Sequence, residues 1–226
     1  MIQIYICPGF HPPALTRSFL AALINDRPVS WSWSSCGVMP PHLPPYSPYH
    51  VLQSLRQHLE HLDHLDQLQP ISPPEQNHPQ PFSLDPPAIV WIGFSAGVVG
   101  ALGAAQQWQA QGHPVLGLIA VDSWGLPLRA DFPIYSLSRD GAKPPHPFME
   151  EWITRYFMPD LPHFYAEPPV DHLCLWGSPD QVQGWSQDYS GLRHRTTAIR
   201  FILDCLEALV AKRYTLKGGN RSQPCH

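Results

Sequence analysis

The sequence predicts an α/β fold in which a mostly parallel sheet of about five strands lies between two layers of helices. Short apolar runs alternate with stretches whose apolar residues recur at helical spacing, which is the pattern of βαβ units. The 28 prolines are clustered, so long proline-free segments remain for whole helices and strands. A chain of 226 residues, 43% of them hydrophobic, can bury one substantial core. We therefore expect one domain over residues 1–215, followed by a flexible tail over 216–226.

Five segments have the pattern of strands. Ile2–Cys7 and Ala88–Ile92 are continuous apolar runs, which are typical of strands covered on both faces. Val115–Val121 has the same character, whereas Val29–Ser35 alternates apolar residues with serine, as a strand with one exposed face does. His172–Trp176 is the last predicted strand.

Helices are predicted between these strands. The first spans residues 15–23, and the second spans Tyr49–Leu68, where leucines line one side. Ala96–Gln111 is rich in glycine and alanine, which predicts a helix packed tightly against the sheet. Phe148–Phe157 and Thr196–Arg213 complete the set.

Composition and charge exclude several classes of protein. The 14 basic and 18 acidic residues give a net charge of −4, which argues against a nucleic-acid-binding surface. The five cysteines are odd in number and form no C-x-x-C pair, so neither a disulfide framework nor a cysteine zinc site is expected. No apolar run is long enough to span a membrane, and the first residues do not resemble a signal peptide. We expect a cytoplasmic protein.

One motif carries chemistry. The apolar strand that ends at Ile92 runs directly into Gly93-Phe94-Ser95-Ala96-Gly97, where a helix begins. This is G-x-S-x-G in a strand–turn–helix context, which predicts a nucleophile elbow with Ser95 exposed on a tight turn. The start of the helix directs free N–H groups at negative charge that forms beside the serine.

With this motif and this order of elements, residues 2–213 resemble the α/β-hydrolase superfamily. That superfamily places its catalytic groups in the chain order serine, acid, histidine. The segment Cys7-Pro8-Gly9-Phe10-His11 resembles the family's oxyanion loop, with Pro8 where a histidine usually stands. By this match, the backbone N–H groups of Phe10 and Ala96 would hold the oxyanion.

The resemblance leaves two candidates for the acid. Asp180 follows the predicted strand His172–Trp176 in the sequence L-C-L-W-G-S-P-D, at the family's usual acid position, and it is favoured. Asp122 ends the strand Val115–Val121, where some members of the family carry the acid. Both lie at carboxyl ends of strands, where α/β sheets place their sites.

His194 precedes the last predicted helix and is the candidate general base. Only 14 residues separate it from Asp180, too few for the helix and strand that the family places there. We therefore expect the sheet to lack its last strand. Arg193 and Arg195 would lower the pKa of His194, which suits a neutral base.

The remaining segment, 126–170, is interpreted as a small cap inserted above the sheet. In the superfamily such insertions shape the pocket, and this one is rich in aromatic residues. His11, Phe94 and Trp124 are further candidates for pocket residues.

The resemblance implies a serine hydrolase that cleaves an ester or thioester of a small apolar or acyl substrate through an acyl-serine. Neither a metal ion nor an organic cofactor is required. Two alternatives stay open: an inactive binding protein on the same fold, and an acyltransferase or lyase with the same site residues.

Overall fold

The computed structural model describes residues 2–28, 35–68, 87–123, 127–141 and 162–218. The strands in these ranges are β1 (Ile2–Cys7), β2 (Ser35–Val38), β3 (Ala88–Phe94), β4 (Val115–Val121), β5 (Ile134–Ser138), β6 (His163–Ala166), β7 (Gln183–Gln187) and β8 (Arg193–Thr197). The helices are α1 (Pro13–Asn25), α2 (Pro48–Leu68), α3 (Ala96–Ala110), α4 (Cys174–Gly177) and α5 (Ala198–Gly218).

All eight strands form one sheet in the order β2-β1-β3-β4-β5-β6-β7-β8. Neighbouring strands from β2 through β6 are parallel, and β7 and β8 are added as antiparallel strands at one edge. The predicted α/β class with a mostly parallel sheet is confirmed. The predicted number of about five strands is too low.

Helices cover both faces of the sheet, because its central strands bury both sets of side chains. Every residue of β1 and β3 is buried, as their continuous apolar sequences predict. One face packs against α1, α4 and α5 through side chains such as Ile92 and Phe164. The other face packs against α2 and α3 through side chains such as Tyr5 and Trp91. The result is the three-layer arrangement that the sequence predicts.

The last two strands correct the expectation that a strand is missing. A parallel crossover needs a dozen or more residues, whereas antiparallel strands join through a tight turn. The chain takes the second route: Gln183 pairs with Thr197, and Gln187 pairs with Arg193, on either side of a short turn. The sheet therefore gains two strands between Asp180 and the last helix, where the sequence analysis expects a strand to be absent.

The predicted strand His172–Trp176 is also wrong. Most of it forms α4, a single helical turn in which Leu175 and Trp176 are buried while Leu173 and Cys174 are exposed. The local sequence is apolar enough for a strand, but only one side of this turn contacts the core. Of the predicted strand Val29–Ser35, residues 29–34 lie outside the described ranges, and β2 begins at Ser35.

The prediction that segment 126–170 forms a cap above the sheet is wrong for the two described strands that it contains. Strands β5 and β6 belong to the main sheet beside β4, so they are not part of an insertion above it. Their sequences are short and half exposed, and they lack the long apolar run that marks β3. Residues 142–161, which include the predicted helix Phe148–Phe157, lie outside the described ranges.

The small residues of α3 pack in two directions. Ala101, Ala104 and Ala105 are buried in one cluster with Trp91 of the sheet, as predicted, whereas two glycines meet another neighbour. A Cβ added to Gly100 would lie 2.1 Å from the carbonyl oxygen of Pro45, and one added to Gly103 would lie 2.5 Å from the Pro48 ring. These glycines therefore admit the loop before α2 and the start of α2, not the sheet. Helix α5 extends to Gly218, into the predicted tail, and residues 219–226 lie outside the described ranges. None of the helices in the described part of the chain is long and apolar enough to cross a membrane.

Candidate active site

Ser95 occupies a strained turn between β3 and α3. Its backbone has φ 54° and ψ −122°, in the left-handed region that residues other than glycine rarely adopt. Such a conformation costs about 1–3 kcal/mol and persists only where the surrounding structure imposes it. Here the Ser95 N–H donates to the carbonyl oxygen of Val121 at 2.9 Å, which fixes the turn against the end of β4. Strand, turn and helix follow one another as the motif predicts, but Ser95 itself is only 7% exposed, so the expectation of an exposed serine is wrong.

The loop after β1 closes on this turn at two glycines. A Cβ added to Gly97 would lie 2.0 Å from the carbonyl oxygen of Cys7, so the loop reaches α3 only because residue 97 has no side chain. A Cβ added to Gly9 would lie 3.0 Å from Cβ of Ser95. The loop that holds Phe10 therefore lies directly beside the serine. Ala96 begins α3 next to it, and the oxyanion role of these two N–H groups stays a prediction.

Asp122 lies at the end of the neighbouring strand and also has a left-handed backbone, with φ 45°. Its N–H donates to the carbonyl oxygen of Leu137 at 2.8 Å, which anchors it to the end of β5. Its side chain is only 16% exposed and faces two basic groups. The Nδ1 atom of His172 lies 2.5 Å from one carboxylate oxygen, and Nε of Arg139 lies 3.7 Å from the same oxygen. A buried carboxylate is thus paired with an imidazole at the carboxyl edge of the sheet.

The hydrogen bond to Asp122 assigns the two nitrogens of His172. Since a carboxylate only accepts, Nδ1–H of His172 donates to it. The other ring nitrogen, Nε2, then carries a lone pair in the neutral imidazole and can accept a proton. This is the tautomer that a general base beside a serine requires.

A column of four rings holds the imidazole of His172 in place. Its ring stacks on Phe94 at 4.6 Å and 22°, and Phe94 stacks on Trp176 at 5.0 Å and 17°. Trp176 in turn stacks on Phe19 of α1 at 3.8 Å and 8°. Because Phe94 is the residue before Ser95, the ring that supports the imidazole is tied directly to the nucleophile turn. The histidine is therefore positioned from below by the core and from the side by Asp122.

His11 lies against the same column. Its ring meets Phe94 edge-on at 5.5 Å and Trp176 at 6.2 Å, and its Nδ1–H donates to the carbonyl oxygen of Pro12. Burial, and to a lesser degree the nearby His172, lower its pKa. Its Nε2 atom is buried and has no hydrogen-bond partner in the described ranges. His11 is therefore a neutral ring that packs against this column.

The structure does not bring Asp180 and His194 to Ser95. Asp180 is exposed in the turn before β7. His194 lies on β8, five strands from β3, which corresponds to about 24 Å at the usual strand spacing. Its ring lies 2.9 Å from the hydroxyl oxygen of Ser186 on β7. The two predicted residues also lie apart from each other. His194 pairs with Ser186 within β7, whereas Asp180 precedes Gln183, the first residue of that strand.

Of the remaining candidates, Asp122 is placed at the site, as the alternative acid would be. Phe94 is fully buried, so it supports the site from below and does not line an open pocket. Trp124 lies outside the described ranges. No group of three or more His, Cys, Asp or Glu side chains in the described part of the chain could hold a metal ion.

Sequence reasoning missed His172. The apolar residues after it suggested a strand, and a histidine at the start of that strand would lie at the wrong edge of the sheet. The order serine, acid, histidine offers the signal: once Asp122 is taken as the acid, any histidine that follows it becomes a candidate. His146, His163 and His172 all satisfy this order before His194 is reached.

No protein-family model matches the chain, and no curated protein matches it significantly.

Proposed function

We propose that the protein is a serine hydrolase that cleaves an ester or thioester through an acyl-serine intermediate. Ser95 is the nucleophile, His172 the general base and Asp122 the carboxylate that orients it. The observation that carries the proposal is the strained Ser95 turn next to a partly buried Asp122–His172 hydrogen bond of 2.5 Å. Backbone strain of this kind clusters at sites where a side chain must be held for reaction.

The reaction balances without a cofactor. The Ser95 hydroxyl oxygen attacks the substrate carbonyl carbon while Nε2 of His172 takes its proton. The N–H groups of Phe10 and Ala96 stabilise the oxyanion of the tetrahedral intermediate. His172 then returns the proton to the departing alcohol or thiol, which leaves an acyl-serine. Water repeats the same steps to release the acid and restore Ser95.

The arrangement supports a relationship to the α/β-hydrolase superfamily, which we propose with the function. Ser95, Asp122 and His172 follow one another in the chain order of that superfamily. They lie at the carboxyl ends of adjacent parallel strands or in the loop after such a strand, as its sites do. The acid follows the strand next to the nucleophile strand, the second of the two positions that the sequence analysis considers.

The test is covalent labelling by a fluorophosphonate probe, read at the peptide level by mass spectrometry. We expect the wild-type protein to be labelled on Ser95 and Ser95→Ala not to be labelled. His172→Ala should lower the labelling rate at least a hundredfold, since general-base catalysis contributes about 10²–10⁴. His194→Ala is the matched control and should be labelled at the wild-type rate, because its histidine contacts Ser186 at the far edge.

Each variant must first show the wild-type circular dichroism spectrum. A folded wild-type protein with no label on Ser95 would overturn the proposal and favour a binding role for the same fold. Loss of labelling in His194→Ala with normal labelling of His172→Ala would overturn the assignment of the base. If Ser95 is labelled, a burst of released alcohol or thiol from a panel of esters and thioesters would show the acyl-enzyme directly.

A further inference from the structure

A cavity of about 360 Å³ opens beside the loop that follows β1. One wall is the loop itself, from Pro8 to His11, and a second is the first turns of α1. The third wall comes from the loop after β2 and includes Met39 and Leu43. A volume of this size suits a short chain and lies at the small end of ligand pockets.

The cavity lies next to the proposed nucleophile. Gly9 lines it, and the same glycine is in contact with Ser95 on its other side. A single residue therefore separates the cavity from the reacting serine. Ser95 itself does not line the cavity, so a substrate attacked there must pass Gly9 to place one of its ends in the cavity.

The charge of the cavity is unbalanced. Its described lining residues are mainly proline, leucine, methionine, valine and phenylalanine; among them are one arginine, the exposed Arg17, and no aspartate or glutamate. Among the described residues Arg17 forms no ion pair. His11, the other basic lining residue, has a lowered pKa and stays neutral. The hydroxyl of Thr16 is already engaged by the indole N–H of Trp176 at 3.4 Å.

The start of α1 adds positive potential to the same place. Pro13, its first residue, lines the cavity, and the helix continues for 13 residues. Its first turn contains no acidic residue, and no side chain caps it. The positive end of the α1 dipole and Arg17 therefore lie at the same cavity, and among the described residues neither is paired with an acidic side chain.

We propose that this cavity selects substrates in which a short apolar chain ends in a carboxylate. The proposal rests on the proposed hydrolase function and names its substrate class. The apolar walls bind the chain, and the guanidinium of Arg17 donates hydrogen bonds to the carboxylate. Neutral esters of the same length fill the apolar part of the cavity but leave Arg17 without a partner.

A matched pair of esters tests the proposal. Monomethyl adipate and methyl hexanoate have the same chain and the same methyl ester, and only the first ends in a carboxylate. We expect the wild-type protein to cleave monomethyl adipate with a kcat/KM about tenfold higher, the ratio of one charge-assisted hydrogen-bonded pair. Arg17→Ala should remove this preference, so that kcat/KM for monomethyl adipate falls to the value for methyl hexanoate. Arg17→Lys should retain part of it.

Arg56→Ala is the matched control. Arg56 is an exposed helix arginine that bonds to Gln111, away from the cavity, and its removal should change neither ester. A wild-type protein that is labelled on Ser95 but cleaves the two esters equally, with Arg17→Ala unchanged, overturns the cavity proposal and leaves the hydrolase function in place.

A binding measurement separates the two failures. Titration calorimetry on Ser95→Ala measures the affinity for each ester without turnover. Tighter binding of monomethyl adipate that is lost in Ser95→Ala/Arg17→Ala supports the cavity proposal even where no ester is cleaved. Equal binding of the two esters overturns it. Absence of label on Ser95 bears on the hydrolase function alone.

Discussion

Gly97→Ala should lower the free energy of unfolding and also slow the labelling of Ser95. Both depend on the close contact between residue 97 and the loop after β1. A Cβ at residue 97 would lie 2.0 Å from the Cys7 carbonyl oxygen and 2.6 Å from that of Pro8. Ordinary contact begins near 3.4 Å, so the loop after β1 must retreat by about 1.4 Å. Both obstacles are backbone atoms, and Cys7 is held in the ladder opposite Gly93. The loop therefore cannot retreat without disturbing the end of β1.

The magnitude follows from three effects. Overpacking of this kind costs about 1–3 kcal/mol, and a weakened ladder hydrogen bond adds about 1 kcal/mol. Alanine recovers about 1 kcal/mol of helix propensity at the start of α3. We expect a net loss of about 1–3 kcal/mol in the free energy of unfolding, which corresponds to roughly 2–12 °C in Tm for a chain of this length.

Urea unfolding followed by circular dichroism measures the loss, and fluorophosphonate labelling in the absence of denaturant measures the effect on the site. Gly112→Ala is the control. Gly112 has φ +83° and no heavy atom within 4 Å of an added Cβ, so this variant carries only a backbone cost of about 1–2 kcal/mol. It should be labelled at the wild-type rate. A Gly97→Ala protein with wild-type stability and wild-type labelling would refute the argument that the loop reaches α3 only across a glycine.

Three further outcomes are expected. Asp122→Asn should lower the labelling rate of Ser95 by about a thousandfold or more, because it removes the carboxylate that fixes the imidazole tautomer; a rate within tenfold of wild type would contradict the role of Asp122. Trp176→Leu and Trp108→Leu should each cost about 3 kcal/mol in urea unfolding, since both indoles are buried. Only the first should slow labelling, because Trp108 packs on the other face of the sheet; equal slowing would remove the positioning role of the ring column. The pKa of His11 is lowered in the folded protein, so as the pH falls the unfolded chain binds a proton at this histidine before the folded chain does. The contribution of His11 to stability is therefore present above about pH 6.5 and is lost as the pH falls through the folded pKa. His11→Gln should therefore show a shallower loss of stability below pH 6.5, measured by the urea midpoint, and an unchanged slope would count against the burial argument.

The centre of the sheet could be predicted from sequence because its physics is local. β1, β3 and β4 are continuous apolar runs, and the glycines around Ser95 mark a turn that few other sequences form. The sheet edge could not be predicted in the same way. β5 to β8 are four or five residues long and partly exposed, so tertiary pairing, and not their own composition, makes them strands.

The candidate site shows the same contrast between residues that a local motif predicts and residues that only tertiary structure brings together. Ser95 and the loop at Phe10 follow from motifs in single segments, whereas the pairing of Asp122 with His172 joins residues 50 apart along the chain. The sequence analysis favoured Asp180 because it follows a predicted strand at the family's usual acid position, and His194 because it precedes the last helix. Such proximity along the chain does not carry into space once a hairpin occupies the interval.

That hairpin ends in a strand with a consequence for how molecules meet one another. Within the described ranges, β8 is the last strand of the sheet, so one row of its backbone N–H and C=O groups faces outward. Such a row can accept a strand from a second molecule and seed aggregation. Arg193 and Arg195 are exposed along it, and charged side chains on an edge strand disfavour pairing with another copy. The basic stretch that sequence reasoning assigned to catalysis thereby protects the sheet from growing beyond its own chain.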